Sequence, residues 1–218
     1  MLISIFIGAV AAVQFAYQLN GTLVPNYYVG YVVRDLTIIE LAPTITCLVL
    51  AGKVGSNIAV EDNIRFPLDM FTNKTRKERD KRVNYCLERV NLTGNNKKFP
   101  SEISGGMQKR VGIARSIVLS PKYLFCDEPN SGLDPKTSIL IDELIQSITD
   151  EHKMTTIINT HDMNSVMEIG DKINLLHLGK LSWSGTKSEV LTSDNETLKN
   201  FIFASPFLQK LRQTAIDS

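Results

Sequence analysis

The sequence predicts an α/β protein preceded by an all-α transmembrane hairpin, and three observations support this fold class. Residues 1–33 contain no charged side chain, and residues 36–52 contain only Glu40. The rest of the chain alternates amphipathic helical stretches with short apolar runs that are typical of buried parallel strands. One of these runs ends in two adjacent carboxylates, Asp127 and Glu128. The two parts of the chain therefore predict two different kinds of structure.

The composition is that of an ordinary globular chain. Of the 218 residues, 43% are hydrophobic and 22% are charged, which suits one or two domains. The net charge of +1 argues against a general nucleic-acid binder, whose binding face would be strongly basic. Cys47, Cys86 and Cys126 have no paired spacing, so the sequence predicts reduced thiols and neither a disulfide framework nor a zinc site.

The uncharged start of the chain predicts two membrane-spanning helices. Met1–Leu19 is almost entirely apolar, and a helix of roughly 20 such residues can cross a bilayer. Leu36–Gly52 is a shorter second candidate, and the tyrosine-containing segment Asn20–Asp35 connects the two at the membrane interface. A cleaved signal peptide is disfavoured because the start lacks lysine and arginine, whereas a buried core hairpin stays open as an alternative.

Two predicted helices come next. Val60–Phe71 has a helical pattern that is disturbed by Pro67. Thr75 and Glu78 have the spacing of a capping box, which opens a second helix that Gly94 is predicted to end. The apolar face of that helix consists of Val83, Cys86, Leu87 and Val90.

A polar, glycine-rich turn then opens another helix. Ser104, Gly105, Gly106 and Gln108 lie at the start of an amphipathic run whose apolar residues recur at helical spacing. A helix N-terminus presents unpaired N–H groups and the positive end of the dipole, and glycines let a phosphate approach the backbone closely. The turn is therefore a candidate anion-binding site.

The apolar run Tyr123–Cys126 predicts a buried parallel strand that delivers Asp127 and Glu128 to the carboxyl edge of a sheet. Asp127 is expected to hold a hydrated Mg²⁺, which prefers hard oxygen ligands. Glu128 is expected to orient or deprotonate a water that attacks phosphorus. The structural alternative is a strand that merely ends in solvent.

The last third of the chain predicts a helix, a strand, a hairpin and short helices. Pro129–Pro135 forms a turn before a helix, and Met154–Thr160 is a β-rich stretch that ends at His161. A histidine in this place can contact a phosphate, although a lone histidine is more often structural. Lys172–Ser184 predicts a hairpin. Capping-box patterns then pair Thr186 with Glu189 and Ser193 with Glu196.

Together these motifs resemble the nucleotide-binding subunits of ABC transporters. The signature ISGGMQKR, the Walker B strand YLFCDE, the D-loop SGLD and the switch histidine in INTHDM have that family's order and spacing. The wording RFPLDMF, SGGMQKRVGIARSI and DEPNSGLDP looks most like the Mla-type ATPases, which move phospholipid between the two membranes of Gram-negative bacteria. Asn130 stands where threonine or alanine is more usual.

The resemblance implies an incomplete ABC-ATPase core of the P-loop NTPase-like α/β class, with ATP and Mg²⁺ as ligands. Glu128 and His161 fall on the catalytic positions and Asp127 on the metal position. The positions that bind nucleotide fall on Ser104, Gly105, Gly106, Gln108 and Asp134. Family members pair head to tail, so the signature of this chain is expected to complete a site in a second ATPase subunit.

The front of the chain resembles the MlaE-type permeases. The matching stretches are QFAYQLNG and DLTIIELAPTITCLVLAGKVGSNIA, in which Glu40 is either a functional carboxylate or a helix-end residue. After Ala59 the sequence resembles the ATPase family instead. We therefore predict a permease-like transmembrane fragment at 1–59 and an ATPase fragment at 60–218. A gene fusion and a sequence-assembly error both explain such a join.

By the same resemblance the ATPase fragment divides into three parts. Residues 60–118 form the helical subdomain and signature helix, residues 119–185 form the core, and residues 186–218 form C-terminal helices. The P-loop pattern G-x-x-x-x-G-K-[ST] does not occur in the 218 residues, and the Q-loop glutamine is missing as well. We therefore expect little ATP turnover from the isolated chain.

Two functional hypotheses follow. The first is an ATP-hydrolysing subunit of a phospholipid transporter, bound to an MlaE-type permease at the inner membrane with its ATPase part on the cytoplasmic face. The second is a non-enzymatic, membrane-tethered remnant that acts as a binding or decoy module. A chromosome-maintenance ATPase is disfavoured because the sequence has no long coiled-coil insertion.

Overall fold

The computed structural model of the protein describes residues 3–7 and 56–202. The strands are β1 (Ile3–Ile7), β2 (Tyr123–Asp127), β3 (Thr155–Asn159), β4 (Lys172–His177) and β5 (Lys180–Gly185). The α-helices are α1 (Val60–Phe71), α2 (Arg76–Arg89), α3 (Gly105–Ile117), α4 (Pro135–His152), α5 (Met163–Ile169), α6 (Lys187–Thr192) and α7 (Glu196–Ile202). A short 3₁₀ turn, Pro100–Glu102, precedes α3.

The strands form a single mixed sheet in the order β2-β3-β1-β4-β5. All neighbouring strands are parallel except β4 and β5, which form an antiparallel pair. In the β2–β3 pair, Asp127 lies opposite Asn159, so the two strands end at the same edge. The residues that follow them can therefore share one site, as is common at the carboxyl edge of an open α/β sheet.

The first strand corrects the prediction that Met1–Leu19 is a membrane-spanning helix. Ile3–Ile7 instead pair in parallel with both β3 and β4. The run ISIFI is rich in β-branched and aromatic residues, and an apolar run fits a buried strand as well as it fits a helix. Among residues 3–7 and 56–202, no helix is both long and apolar enough to cross a bilayer. The second predicted span, Leu36–Gly52, and Glu40 within it lie outside the described residues.

The two helices predicted after residue 59 are present. α1 has the predicted bounds and runs through Pro67. The capping box of α2 is confirmed: the Glu78 amide donates to Thr75 Oγ1 at 3.4 Å, and the Thr75 amide donates to Glu78 Oε2 at 2.7 Å. Each side chain of the predicted apolar face of α2 is at most 1% exposed.

The end of α2 differs from the prediction. The helix stops at Arg89, well before Gly94. Asn91 takes a left-handed φ of 54°, and the Leu92 amide donates back to the Leu87 carbonyl at 2.8 Å. This geometry closes a helix end in the way that a glycine usually does, and asparagine is the residue that replaces glycine most readily there.

Helix α3, which begins at the predicted signature, connects the helical part to the sheet part, because it packs against α1, α2 and α4. Its own apolar residues Val111, Ala114 and Ile117 are at most 1% exposed. On the other side, α4 buries Ile141, Ile145 and Ile148 completely. One hydrophobic cluster therefore spans the helices and the sheet and fixes where α3 begins relative to the ends of the strands.

The C-terminal elements confirm the predicted hairpin and one of the two capping boxes. β4 and β5 pair through a turn in which Leu178 and Gly179 have φ of 45° and 77°. Thr186 and Glu189 form a capping box at the start of α6. The Ser193 box is wrong: Asn195 Oδ1 accepts from the Leu198 amide at 2.9 Å, so Asn195 caps α7. The chain beyond Ile202 lies outside the described residues.

Candidate active site

One side-chain hydrogen bond and one backbone hydrogen bond join the ends of β2 and β3. Asn159 Nδ2 donates to Asp127 Oδ1 at 2.6 Å, and the Glu128 amide donates to the Asn159 carbonyl at 2.8 Å. Asn159 is 3% exposed, whereas the Asp127 side chain is exposed at the sheet edge. The buried asparagine therefore holds the exposed carboxylate in one orientation.

Glu128 does not continue the strand. It adopts a left-handed φ of 47°, which is unusual for a residue with a Cβ. Its carbonyl oxygen accepts from Lys109 Nζ at 3.0 Å and from the Ser131 amide at 3.2 Å. These contacts, together with the hydrogen bond from the Glu128 amide to the Asn159 carbonyl, hold the backbone of Glu128 on both sides. The side chain consequently turns away from the strand axis.

The Glu128 carboxylate meets His161. His161 Nδ1 and Glu128 Oε1 are 2.7 Å apart, although 33 residues separate them in sequence. The hydrogen bond to the Glu128 carboxylate, and then its charge, raise the pKa of His161 above its usual value of 6.5. The side chain of His161 is 70% exposed, and the side chain of Glu128 is 24% exposed. The pair is therefore accessible to solvent and joined by a short hydrogen bond.

The predicted anion-binding turn starts α3. Ser104 is its N-cap, and its hydroxyl accepts from the Met107 amide at 3.2 Å. Ser104 and Gly105 are exposed, while Gly106 is buried. Gln108 faces its own chain, because its Nε2 donates to the Pro100 carbonyl at 2.9 Å. The exposed part of the turn thus consists of the serine and the first glycine.

Asp134 begins α4. Its carboxylate accepts from the Thr137 amide at 3.0 Å and from the Thr137 hydroxyl at 2.5 Å. The bond from the Thr137 hydroxyl, and then the one from its amide, hold the pKa of Asp134 below its usual range. A Cβ built on Gly106 would lie 2.7 Å from Thr137 Cγ2, so this helix start packs directly against the glycine turn. In this chain Asp134 acts as a helix cap.

The predicted site residues therefore fall into two groups. Asp127, Glu128 and His161 meet at the sheet edge, and Ser104, Gly105, Gly106 and Asp134 meet where α3 and α4 begin. Lys109 connects the groups, since it extends from α3 to the Glu128 carbonyl.

Sequence reasoning missed Lys109 and Asn159. A polar residue at the end of an apolar strand was a signal for Asn159. For Lys109 the sequence held no signal, because its partner is a backbone carbonyl 19 residues away.

The donor set at the sheet edge fits Mg²⁺ rather than a metal enclosed by protein ligands. Asp127 contributes one oriented carboxylate, and within residues 56–202 no group of three acidic, histidine or cysteine side chains could hold a metal ion. Mg²⁺ commonly binds through one or two carboxylates and keeps waters and substrate phosphates as its other ligands. Asp127 is the residue that would hold it.

Two family models match the chain. The model of the permease MlaE matches residues 1–61, and the model of the ABC transporter matches residues 33–131. The chain carries an ABC transporter ATP-binding segment. Its resemblance to ABC transporter ATPases and MlaE-type permeases is thereby confirmed, and the two matched ranges overlap between residues 33 and 61.

Curated relatives are similar to the ATPase part. The probable ribonucleotide transport ATP-binding protein mkl of Mycobacterium leprae is 38% identical over 151 residues, which is 69% of this chain and 44% of that protein. The methionine import ATP-binding protein MetN 1 of Pseudomonas putida is 38% identical over 144 residues, which is 66% of this chain and 43% of that protein. The chain therefore spans less than half the length of these relatives.

A solved structure confirms the fold. The ATP-binding cassette MJ0796, in a dimeric post-hydrolysis state bound to ADP and Pi, aligns over 85% of both chains with a TM-score of 0.61 and 23% identity. The described part of the chain thus has the ABC ATPase fold, with mixed helices and strands.

Proposed function

We propose that this chain is an ATP-binding subunit of an ABC transporter that hydrolyses ATP together with a second ATPase subunit. The observation that carries this proposal is the 2.7 Å contact between Glu128 and His161 beside Asp127, at the carboxyl edge of parallel strands. A carboxylate that can activate water, a histidine that can contact a phosphate and a carboxylate that can hold Mg²⁺ suit phosphoanhydride cleavage.

Each of the three side chains has a separate role in the step that a nucleotide bound at this sheet edge would undergo. Glu128 accepts a proton from the water that attacks the terminal phosphorus, or orients that water. In its protonated form, which the raised pKa favours, His161 donates Nδ1–H to Glu128 and has Nε2–H left to donate to an anionic phosphate oxygen. Asp127 would hold Mg²⁺, which neutralises charge that develops on the phosphates.

The second subunit supplies a complete nucleotide site, because the site of this chain lacks a P-loop. The printed sequence has no P-loop pattern, whereas Ser104 and Gly105 are exposed at the start of α3. We infer a head-to-tail pair in which these residues face the nucleotide held by an intact partner. Gly106 is buried against Thr137, so it shapes the turn rather than lining the partner's site.

Two observations support the proposals for a membrane partner and a cargo: the resemblance of the sequence motifs to known families and one exposed surface. α1 exposes three large apolar side chains, Phe66, Met70 and Phe71, which are 41%, 61% and 50% exposed. Neighbouring exposed apolar side chains commonly mark a protein contact. We propose that an MlaE-type permease covers this face at the inner membrane, with the ATPase part on the cytoplasmic side. We also propose phospholipid as the cargo.

A complementation assay tests the proposed pairing. An intact Mla-type ATPase subunit whose own signature serine is replaced by arginine should form homodimers without turnover. Adding the full chain described here should restore ATP hydrolysis, because Ser104 supplies the missing serine. Ser104→Arg in this chain should abolish the restored activity, while Ser101→Arg, at an exposed serine three residues away, should retain it.

The chain alone should show turnover near background. Robust hydrolysis by the isolated chain that is lost on Glu128→Gln would contradict the proposed dependence on a partner. The absence of a P-loop pattern favours a second candidate, a non-enzymatic remnant that binds other subunits. That candidate is supported if the mixture shows no restored turnover although the two chains associate.

A further inference from the structure

Three polar side chains form a buried cluster behind the Glu128–His161 pair. Asn130 Nδ2 donates to Asp142 Oδ1 at 2.8 Å and to Ser165 Oγ at 2.9 Å, and Ser165 Oγ donates to Asp142 Oδ2 at 2.8 Å. Their exposures are 7%, 4% and 1%, respectively. We call Asn130, Asp142 and Ser165 the buried triad.

The triad joins the two segments that carry the reactive pair. Asn130 lies two residues after Glu128, in the loop between β2 and α4. Ser165 lies in the first turn of α5, which begins two residues after His161. Asp142, in the middle of α4, binds both of them. A single carboxylate therefore ties the Glu128 loop to the His161 turn.

The buried triad lowers the stability of the fold relative to apolar residues in the same places. The donors to Asp142 are a hydroxyl and an amide, and the charged groups that act on it are the acids Asp162 and Glu168. Burial, more than any other cause, raises the pKa of the Asp142 carboxyl. In addition, Asn130 Oδ1 is buried without a hydrogen-bond partner in the described part of the chain. Apolar residues of similar size would avoid these penalties.

Asparagine at position 130 is what allows the cluster to form. Its amide nitrogen provides both N–H groups, one for Asp142 and one for Ser165. The threonine or alanine that is more usual in related sequences has no side-chain group that donates two hydrogen bonds. The asparagine at position 130, which replaces the more usual residue, therefore connects the Glu128 loop to Asp142 and Ser165.

We propose that the buried triad positions Glu128 and His161 against each other. Its members touch neither substrate nor the reacting atoms, so they are positioning residues. The value of this arrangement for catalysis rests on the proposed function, but the positioning itself is a statement about the Glu128–His161 contact and can be measured without nucleotide.

The test is an NMR pH titration of the histidine rings in the full chain. The chain has three histidines, and His161→Gln identifies the His161 signal. In the parent protein the His161 midpoint should lie above its usual value of 6.5, and Glu128→Gln should lower it by removing the carboxylate. Asn130→Ala should produce most of that same fall, because the Glu128 loop is released from Asp142 and Ser165.

Two further variants separate positioning from stability and from charge. Thr149→Val removes a different buried bond, between hydroxyls 2.6 Å apart in α4 and β3, so it should lower the melting temperature without moving the His161 midpoint. Asp142→Asn removes the charge but can still accept from Asn130 and bond to Ser165. It should leave the His161 midpoint unchanged.

The outcomes decide the proposal. A His161 midpoint that stays at the parent value in Asn130→Ala would overturn it and leave the triad a structural feature only. A fall in Asp142→Asn equal to that in Asn130→Ala would also overturn it, in favour of a charge effect. Should Asn130→Ala fail to fold, Ser165→Ala gives the same reading with one bond to Asp142 removed. None of these results depends on ATP turnover, so failure here is distinguishable from failure of the proposed function.

Discussion

The Glu128–His161 contact makes the fold sensitive to pH. The bond to the carboxylate raises the pKa of His161 in the folded state above 6.5. A group whose pKa is raised by folding contributes stability that is fully present below its unfolded pKa and is lost as the pH rises through its folded pKa. His161 should therefore stabilise the protein in mildly acidic solution and not in alkaline solution.

Urea unfolding measures this effect. The free energy of unfolding lost in His161→Gln should be larger at about pH 5.5 than at about pH 8.5. His177→Gln, at an exposed histidine at the end of β4, is the matched control for loss of an imidazole outside the pair. An equal loss at both pH values in His161→Gln would show that the pair does not couple protonation to folding.

The two glycines of the turn should respond differently to alanine. At Gly106 a Cβ would lie 2.7 Å from Thr137 Cγ2, and Thr137 cannot rotate away without losing its bond to Asp134. At Gly105 the nearest atom is Leu133 Cδ2, at an ordinary 3.9 Å. Thermal unfolding should show a net loss of up to about 2 kcal/mol for Gly106→Ala, and no loss for Gly105→Ala. Equal effects would mean that the helix start adjusts freely.

The end of α3 depends on a residue from another helix. Arg82 of α2 donates to the Ile117 and Val118 carbonyls and to Ser120 Oγ, each at 2.8 Å. Carbonyl groups at a helix end have no partner within the helix, so the guanidinium takes the place of a C-cap. This contact anchors α2 to the end of α3.

Arg82→Lys should not preserve these hydrogen bonds, because an ammonium group lacks the planar guanidinium that binds two carbonyls and a hydroxyl together. We expect a loss of about 1–3 kcal/mol in the free energy of unfolding. Lys81→Ala, at the exposed neighbouring position, should change it by less than about 0.5 kcal/mol. Equal stability of Arg82→Lys and the parent protein would show that water satisfies the helix end equally well.

Element boundaries were predictable where the signal is local. The capping boxes at Thr75 and Thr186 and the helix that opens at the Ser104 turn were predicted from the sequence and are confirmed. The prediction went wrong where two local signals competed. Asn91 ends α2 before Gly94, and Asn195 caps α7 instead of Ser193, since asparagine can end or cap a helix as those residues do.

The sheet as a whole depends on the first residues of the chain. β1 lies between β3 and β4, and the chain between these two strands contains only α5 and its connections. Without β1, both strands would present an unpaired edge inside the sheet. The permease-like start of the chain thus completes the ATPase sheet.

Ile5→Pro tests this role. Proline removes a ladder donor from a strand that is paired on both sides, opposite Ile158 and Ile173. An unmade buried hydrogen bond costs about 1–3 kcal/mol, which should lower the melting temperature by roughly 2–12 °C. Ile5→Ala keeps the amide donor and controls for the lost side chain. A parent-like melting temperature for Ile5→Pro would mean that the sheet is stable without β1.

Local chemistry was enough to recognise the helices after residue 59 and the strand that ends in Asp127, because capping and apolar periodicity act over a few neighbouring positions. Contacts between distant segments were decided by packing. The Glu128–His161 pair spans 33 residues, and the Lys109 bond to the Glu128 carbonyl spans 19. The place of Ile3–Ile7 also belongs to this class, since an apolar run becomes a strand or a membrane helix according to the partner it finds.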